Sequence, residues 1–159
     1  MKTYVAALMS VMVGVIASPV GRADDDGGGK VGISTTLAPA AIGPYSQAIR
    51  VGKTVYVSGE VGIDPMTGTF SGTTIGEQTD QALKNVAAIL AAAGLTLDNV
   101  VTTTVYLTEV SDFAGMNSAY GTHFKTPAPA RATIQVAALP NPGALVEISA
   151  IAVDTRKSD

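Results

Sequence analysis

The 159-residue chain contains no cysteine and a single histidine, His123. The first absence removes disulfides and any thiol nucleophile. The second leaves too few imidazoles for an ordinary zinc site, and no metal site is expected. Basic residues are also scarce: ten Lys and Arg stand against thirteen Asp and Glu, for a net charge of −3. No cluster of them is present to hold nucleic-acid phosphates, so nucleic acid is not an expected partner. With 47% hydrophobic and 14% charged residues, the composition suits one compact domain. Its chemistry must come from carboxylates, hydroxyls, amides, backbone groups and arginine.

A membrane-spanning run is missing too. MKTYVAALMSVMVGVIASPVGRA carries Lys2 and an apolar stretch of about 13 residues from Val5 to Ala17, against the roughly 20 that cross a bilayer. Small residues and a turn follow. The pattern is that of a secretory signal over 1–23, cleaved after Ala23 or alternatively after Ala17. The expected product is exported, periplasmic or secreted, with no membrane attachment once the signal is removed. Losing Lys2 and Arg22 leaves 8 basic against 13 acidic residues, a net charge of −5. DDDGGGKV, 24–31, reads as a flexible leader, 32–155 as the folded domain and 156–159 as a C-terminal tail.

Within the domain, GIST (32–35) and TVYVSGEVG (54–62) read as a leading strand pair flanking the loop LAPAAIGPYSQA. DPMTG (64–68) is turn chemistry. The clearest helix starts at Thr74, where Thr74 and Glu77 fit a capping box. Its apolar stripe is Leu83, Val86, Leu90 and Ala93, and Gly94 fits its stop. VVTTTVYLTEV (100–110) is β-branched and strand-like. SDFAGMNSAYGTHF is helical in pattern, with Ser111 as cap and Phe113, Met116, Tyr120 and Phe124 on one side. RATIQVAAL and LVEISAIAVD supply two last strands. The expected class is α+β, a mixed sheet backed by two helices on one face.

Two charged residues stand out in apolar strands. Arg131 opens the stretch TPAPARATIQV. It is either a strand-end arginine reaching solvent or a neighbouring carboxylate, or a guanidinium aimed by Pro127 and Pro129 to capture a ligand carboxylate. Glu147 lies in LVEISAIAV on the face of Ser149, Ile151 and Val153. It is either paired, with Arg131 the obvious partner, or raised in pKa and suited to proton transfer. Tyr45 and Ser46 occupy a glycine–proline loop, and Ser58-Gly59 ends a strand where a ligand can approach the backbone. Asn117 flanks the stripe of the second helix. No G-x-S-x-G elbow is present, and His123 reads as a helix-end residue, so serine hydrolysis is not expected.

IGPYSQA, VYVSGEVGIDP, ALKNVAAILAAAG, TTVYLTEVSDFAGMN, PAPARATIQVAAL and VEISAIAV occur in one order. Over nearly all of 32–155 the chain resembles the RidA/YjgF family of reactive intermediate (enamine/imine) deaminases, with Pro129-Ala130-Arg131 and Val146-Glu147-Ile148 as the signature stretch. The resemblance implies a chorismate-mutase-like sheet and a homotrimer with ligand clefts between subunits. It implies a last strand antiparallel to the others, with Arg131 and Glu147 at opposite ends of a subunit, roughly 17 Å apart. Tyr45, Ser58, Gly59 and Glu147 would come from one chain and Asn117, Arg131 and Thr133 from the next.

The implied reaction is that of a 2-iminobutanoate/2-iminopropanoate-type deaminase: hydrolysis of 2-imino acids to 2-keto acids and ammonia, without metal or organic cofactor. Arg131 would clamp the carboxylate and Glu147 would position water. Thr133 stands where deaminase members often carry cysteine, which implies an adjusted substrate fit. The alternative is a non-catalytic trimer binding small carboxylates. A ribonuclease reading, attached to some relatives, fits poorly with the acidic balance and the lone histidine.

Overall fold

A computed structural model describes residues 29–156. The expected signal, most of the leader and residues 157–159 of the tail lie outside them. Eight strands and two helices follow in order: β1 (Lys30–Ile33), β2 (Ala48–Val51), β3 (Thr54–Val61), β4 (Ile63–Asp64), β5 (Thr69–Phe70), α1 (Ile75–Ala92), β6 (Val100–Leu107), α2 (Phe113–Tyr120), β7 (Ala130–Gln135) and β8 (Val146–Val153). Six strands form one sheet in the order β1-β2-β3-β8-β6-β7, and β4 and β5 form a small hairpin around the DPMTG turn. The result is the mixed sheet with two helices that the sequence implies.

Three details differ from expectation. The leader gives way at Lys30, where β1 begins. GIST and TVYVSGEVG do not pair with each other, because β2 intervenes and makes β1-β2-β3 a meander. β2 is a four-residue strand, Ala48–Val51, that turns back at Gly52 with φ of 53°. That short run at the end of a loop has too few alternations to register as a strand. The helix cap also moves: a 3₁₀ turn takes up Val110–Asp112, so Asp112 rather than Ser111 precedes α2, and Phe124 lies beyond its end.

Strand directions need the same correction. β8 is antiparallel to β3 and to β6, and β6 and β7 are parallel, joined by the α2 crossover that parallel neighbours require. β2 runs with β8, however, because it is the middle strand of the meander.

β8 shows why the fold buries one face only. Val146, Ile148, Ala150 and Ala152 are buried, while Glu147, Ser149, Ile151 and Val153 on the alternate face are not. The buried face packs under α1 and α2 in two clusters. Val55, Val57, Val86, Ile89, Leu90 and Ala152 belong to one; Leu83, Val105, Leu107, Met116, Tyr120 and Ile148 belong to the other. Each fully buried large aliphatic side chain is worth about 1.5–3 kcal/mol. The capping box is present, with the Thr74 hydroxyl accepting from the Glu77 amide, and Gly94, at φ of 71°, follows the last turn. The Arg50 guanidinium donates to the Ala93 carbonyl at that helix end, where a cation suits the dipole.

The opposite face of the sheet has no layer over it among the described residues. Register places Ile49, Tyr56 and Ile151 in one row of it and Tyr106 and Ile134 in another, with Glu147. Tyr56 and Ile134 are each 48% exposed.

Buried amides tie the loops to this frame. Asn85, fully buried on α1, donates to the carbonyls of Val61 (3.0 Å) and Ile63 (2.9 Å) and accepts from Gln81 (2.8 Å). Gln78 donates to the Gly143 carbonyl (3.1 Å) and accepts from the Leu145 amide (2.9 Å). Gly62 sits so close to α1 that a Cβ would fall 2.6 Å from the Gln78 Cα. Replacing Asn85 with Ala leaves two strand-end carbonyls without a buried partner and is expected to cost about 2–4 kcal/mol. A lowered urea midpoint with unchanged far-ultraviolet circular dichroism is the expected result; an unchanged midpoint would mean that water satisfies those carbonyls.

Candidate functional site

The sheet separates the seven residues singled out in the sequence into two groups. Tyr45, Ser58, Gly59 and Glu147 line one cleft of about 410 Å³ at the end of β3. Its floor is a β-bulge. Val57 pairs with Ala150 and Glu60 with Ile148, so Ser58 and Gly59 stand out of the β8 ladder. A bulge of this kind re-aims side chains and frees backbone. Ser58 is fixed on the other side, its hydroxyl donating to the Ser46 carbonyl (2.7 Å) and its amide to the Gln47 carbonyl (3.0 Å). Gly59 makes room for the Glu147 carboxyl, since a Cβ there would lie 2.6 Å from its carboxyl carbon.

The lip of the cleft is loop 35–47. Gln47, buried, accepts from the Thr35 amide (2.7 Å) and donates to the carbonyls of Thr35, Ala38 and Pro39. Tyr45 is half exposed, and its hydroxyl accepts from the Ile42 amide (3.3 Å). That leaves the phenolic proton available. A neighbouring, more open hollow of about 720 Å³ shares this loop, and Tyr45 is its one titratable lining residue.

Arg131, Asn117 and Thr133 form the other group, beside α2. Arg131 pairs in register with Thr103 and Thr133 with Val105, both buried residues of the helix face. The Arg131 Nη2 donates to Asn117 Oδ1 (2.6 Å), and its Nη1 lies 3.9 Å from the Met116 sulfur. The guanidinium carbon sits 4.6 Å over the Tyr120 ring and 5.8 Å from that of Phe113. Tyr120 is itself fixed by a 2.7 Å hydroxyl contact with Thr103, and burial raises its pKa. Aromatic rings and an amide therefore hold the cation. The ion pairs among the described residues are Lys84–Asp80, His123–Asp80, Lys125–Asp98 and Arg156–Asp154. Arg131 and Glu147 are not paired.

Their separation has a second cause besides the one expected. Arg131 registers with Thr103, Thr103 with Ala150, and Glu147 lies three residues from Ala150. That is about 10 Å along the strands and two strand spacings of about 4.8 Å across, with Arg131 near the start of β7 and Glu147 level with Ile134 toward its other end. The decisive separation is between faces: Arg131 faces the helices and Glu147 the open side.

One residue of the cleft escaped the sequence reading. Glu60, 6% exposed, contributes to the cleft wall after Ser58 and Gly59 and registers with Ile148 of the buried face. Its pKa is pushed up to about 8, by burial first and by the Glu147 carboxylate second. Burial raises Glu147 as well. The signal was available in YVSGEVGI, a carboxylate inside an apolar strand just like Glu147 in LVEISAI. His123 lies elsewhere, its Nε2 2.8 Å from Asp80 Oδ1, linking the end of α2 to α1.

Known proteins resemble this chain in sequence and fold. A family profile described as Endoribonuclease L-PSP matches residues 35–154. A mouse protein named 2-iminobutanoate/2-iminopropanoate deaminase is 55% identical over 121 residues, covering 76% of this chain and 89% of the relative. The human protein of that name is 50% identical over the same length, covering 76% and 88%. The crystal structure of RidA from the Antarctic bacterium Psychrobacter sp. PAMC 21119 superposes with a TM-score of 0.73 at 47% identity, covering 77% of this chain and 98% of that one. The chain belongs to the RidA/YjgF family, the family whose profile carries the description Endoribonuclease L-PSP.

Proposed function

We propose that this protein hydrolyses reactive 2-imino acids and their enamine tautomers to 2-keto acids and ammonia, in clefts completed between subunits of a homotrimer. The reaction class is supported by relatives named 2-iminobutanoate/2-iminopropanoate deaminase at 55% and 50% identity. The observation that carries the site is Arg131: a guanidinium held by Asn117, Tyr120 and Phe113, with no carboxylate against it among the described residues. A cation fixed in this way is suited to a substrate carboxylate.

Each group then has a task. Arg131, with Asn117 and Thr133 beside it, clamps the carboxylate of the 2-imino acid. Glu147, from the neighbouring subunit's cleft, orients a water molecule and takes its proton as the oxygen attacks C2. A protonated imine is already an electrophile, and holding it against an oriented water lowers the entropic part of the barrier. The Tyr45 hydroxyl and the free backbone at Ser58-Gly59 line the pocket. Since Arg131 and Glu147 face opposite sides of one sheet, a small substrate reaches both only when two copies meet. The uncovered face bearing Ile49, Tyr56, Tyr106, Ile134 and Ile151 offers an apolar surface for that association.

We further propose that the protein works outside the cytoplasm. Residues 1–23 carry the pattern of a cleaved signal, and the substrate would then come from an amino-acid oxidase or dehydrogenase acting in that compartment.

Imino acids generated in situ by an L-amino-acid oxidase with catalase test the reading. The wild type is expected to speed keto-acid release in competition with semicarbazide. Arg131→Ala is expected to lose about 2–5 kcal/mol of transition-state binding, about 30- to 5,000-fold in kcat/KM. Refolding Arg131→Ala together with Glu147→Gln should restore activity at about a quarter of the interfaces, because a ring of mixed chains rebuilds some intact clefts. No rescue would put both residues in the same subunit's site. N-terminal sequencing of the protein from its host is expected to begin at Asp24; an intact Met1 or Lys2 would end the export proposal.

A further inference from the structure

Strand β6 carries a hydroxyl where its packing calls for a methyl group. Its buried positions are Val100, Thr103, Val105 and Leu107, and Thr103 is only 2% exposed. A valine there would have the same shape and no polar atom to satisfy. Among the described residues, the Thr103 side chain makes one hydrogen bond, with the Tyr120 hydroxyl at 2.7 Å. Tyr120 is buried too, and burial raises its pKa, so the phenol keeps its proton in neutral solution.

The same ring lies against the guanidinium of Arg131. Thr103 and Arg131 are register partners on neighbouring parallel strands, so their side chains leave the sheet on one face. Tyr120 comes from α2 onto both: its hydroxyl meets Thr103, and its ring centre lies 4.6 Å from the guanidinium carbon. Phe124 packs on that ring with centroids 4.7 Å apart. The consequence concerns the donors of Arg131. A guanidinium has five N–H groups and takes a carboxylate through two parallel ones. Asn117 accepts from Nη2, and the Met116 sulfur lies 3.9 Å from Nη1. A ring against its face restricts the guanidinium plane without using any N–H group.

We propose that Thr103 is a positioning residue of the carboxylate clamp: by holding the Tyr120 hydroxyl it fixes the ring that sets the plane of Arg131, while touching no substrate itself. The proposal rests on the reading of Arg131 as the clamp. A bidentate grip needs a defined plane, and a ring free to tilt lets the guanidinium tilt with it. A purely structural pair, two hydroxyls satisfying each other in the core, behaves differently. Removing one hydroxyl strands the other, whereas removing both strands neither. Stability and substrate binding then recover together in the double variant of a structural pair, and part company in that of a positioning pair.

The test compares Thr103→Val, Tyr120→Phe and the double variant of the intact protein, by thermal melting and by turnover of imino acids generated in situ. Each single variant is expected to lower Tm, and the double to return it close to the wild-type value. KM should rise about 3- to 10-fold in both singles and stay raised in the double, with kcat within about twofold. Thr103→Ser, which keeps the hydroxyl, should keep the wild-type KM. Added to Arg131→Ala, Thr103→Val should change neither constant further. A KM that recovers with Tm in the double, or that rises again over Arg131→Ala, overturns the positioning role and leaves the deaminase reading intact. A wild type inactive on every imino acid ends the deaminase reading, and calorimetric titration with 2-ketobutanoate then decides. A Kd raised about 3- to 10-fold in the double supports the proposal; an unchanged Kd, or no binding by the wild type, overturns it. If a single variant does not fold, the double and Thr103→Ser carry the same decision.

Discussion

Buried amide hydrogen bonds from one helix and one loop residue hold the cleft in shape. Asn85 and Gln78 reach out of α1 to the end of β3 and to the segment entering β8, and Gln47 gathers residues 35–39 of the loop. These contacts lie in a low-dielectric interior, where an unmet carbonyl is costly. They are also directional, as aliphatic packing is not. Leu83, Val86 and Leu90 fix how far α1 stands from the sheet, while the amides fix where each strand end and loop lies relative to it. The strand ends that flank Glu60 and Glu147 are placed by that second kind of contact.

The other governing constraint is the sheet itself. A layer of backbone stands between Arg131, facing α2, and Glu147, facing the open side. Alternation along β7 and β8 makes this separation unavoidable, because a residue cannot change face without a shift in register. A monomer of this fold therefore holds a well-supported cation and a well-supported carboxylate that cannot meet over one small molecule.

Much of this was legible in the sequence. The capping box of α1, its glycine stop and the period-two burial of β8 are local patterns, and local patterns survive in one dimension; the grouping of Tyr45, Ser58, Gly59 and Glu147 came from the family resemblance. What escaped was set by tertiary partners. β2 is four residues that become a strand only between two neighbours. Asn85 and Gln78 read as polar interruptions of a helix stripe, because their partners lie 22 to 67 residues away. The Tyr120 ring under Arg131 falls on the apolar side of α2 and belongs to the core, but one face of it also carries the cation. The burial of Glu60 depends on the bulge after Val57 and on α1 above it, neither of which SGEVG itself displays.

The bulge in β3 has a consequence for how strongly two acids feel each other. In an unbroken ladder continuing from Val57 opposite Ala150, Glu60 would fall directly across from Glu147. Like charges in that relation destabilise a sheet. The extra residue slips Glu60 one step along, opposite Ile148, and sets Val61 across from Glu147 instead. That slip turns Glu60 toward the helix-facing side and leaves Glu147 on the open one. The strand's miscount sets the coupling of the pair: near enough for one charge to discourage the other, and offset enough for the fold to tolerate both.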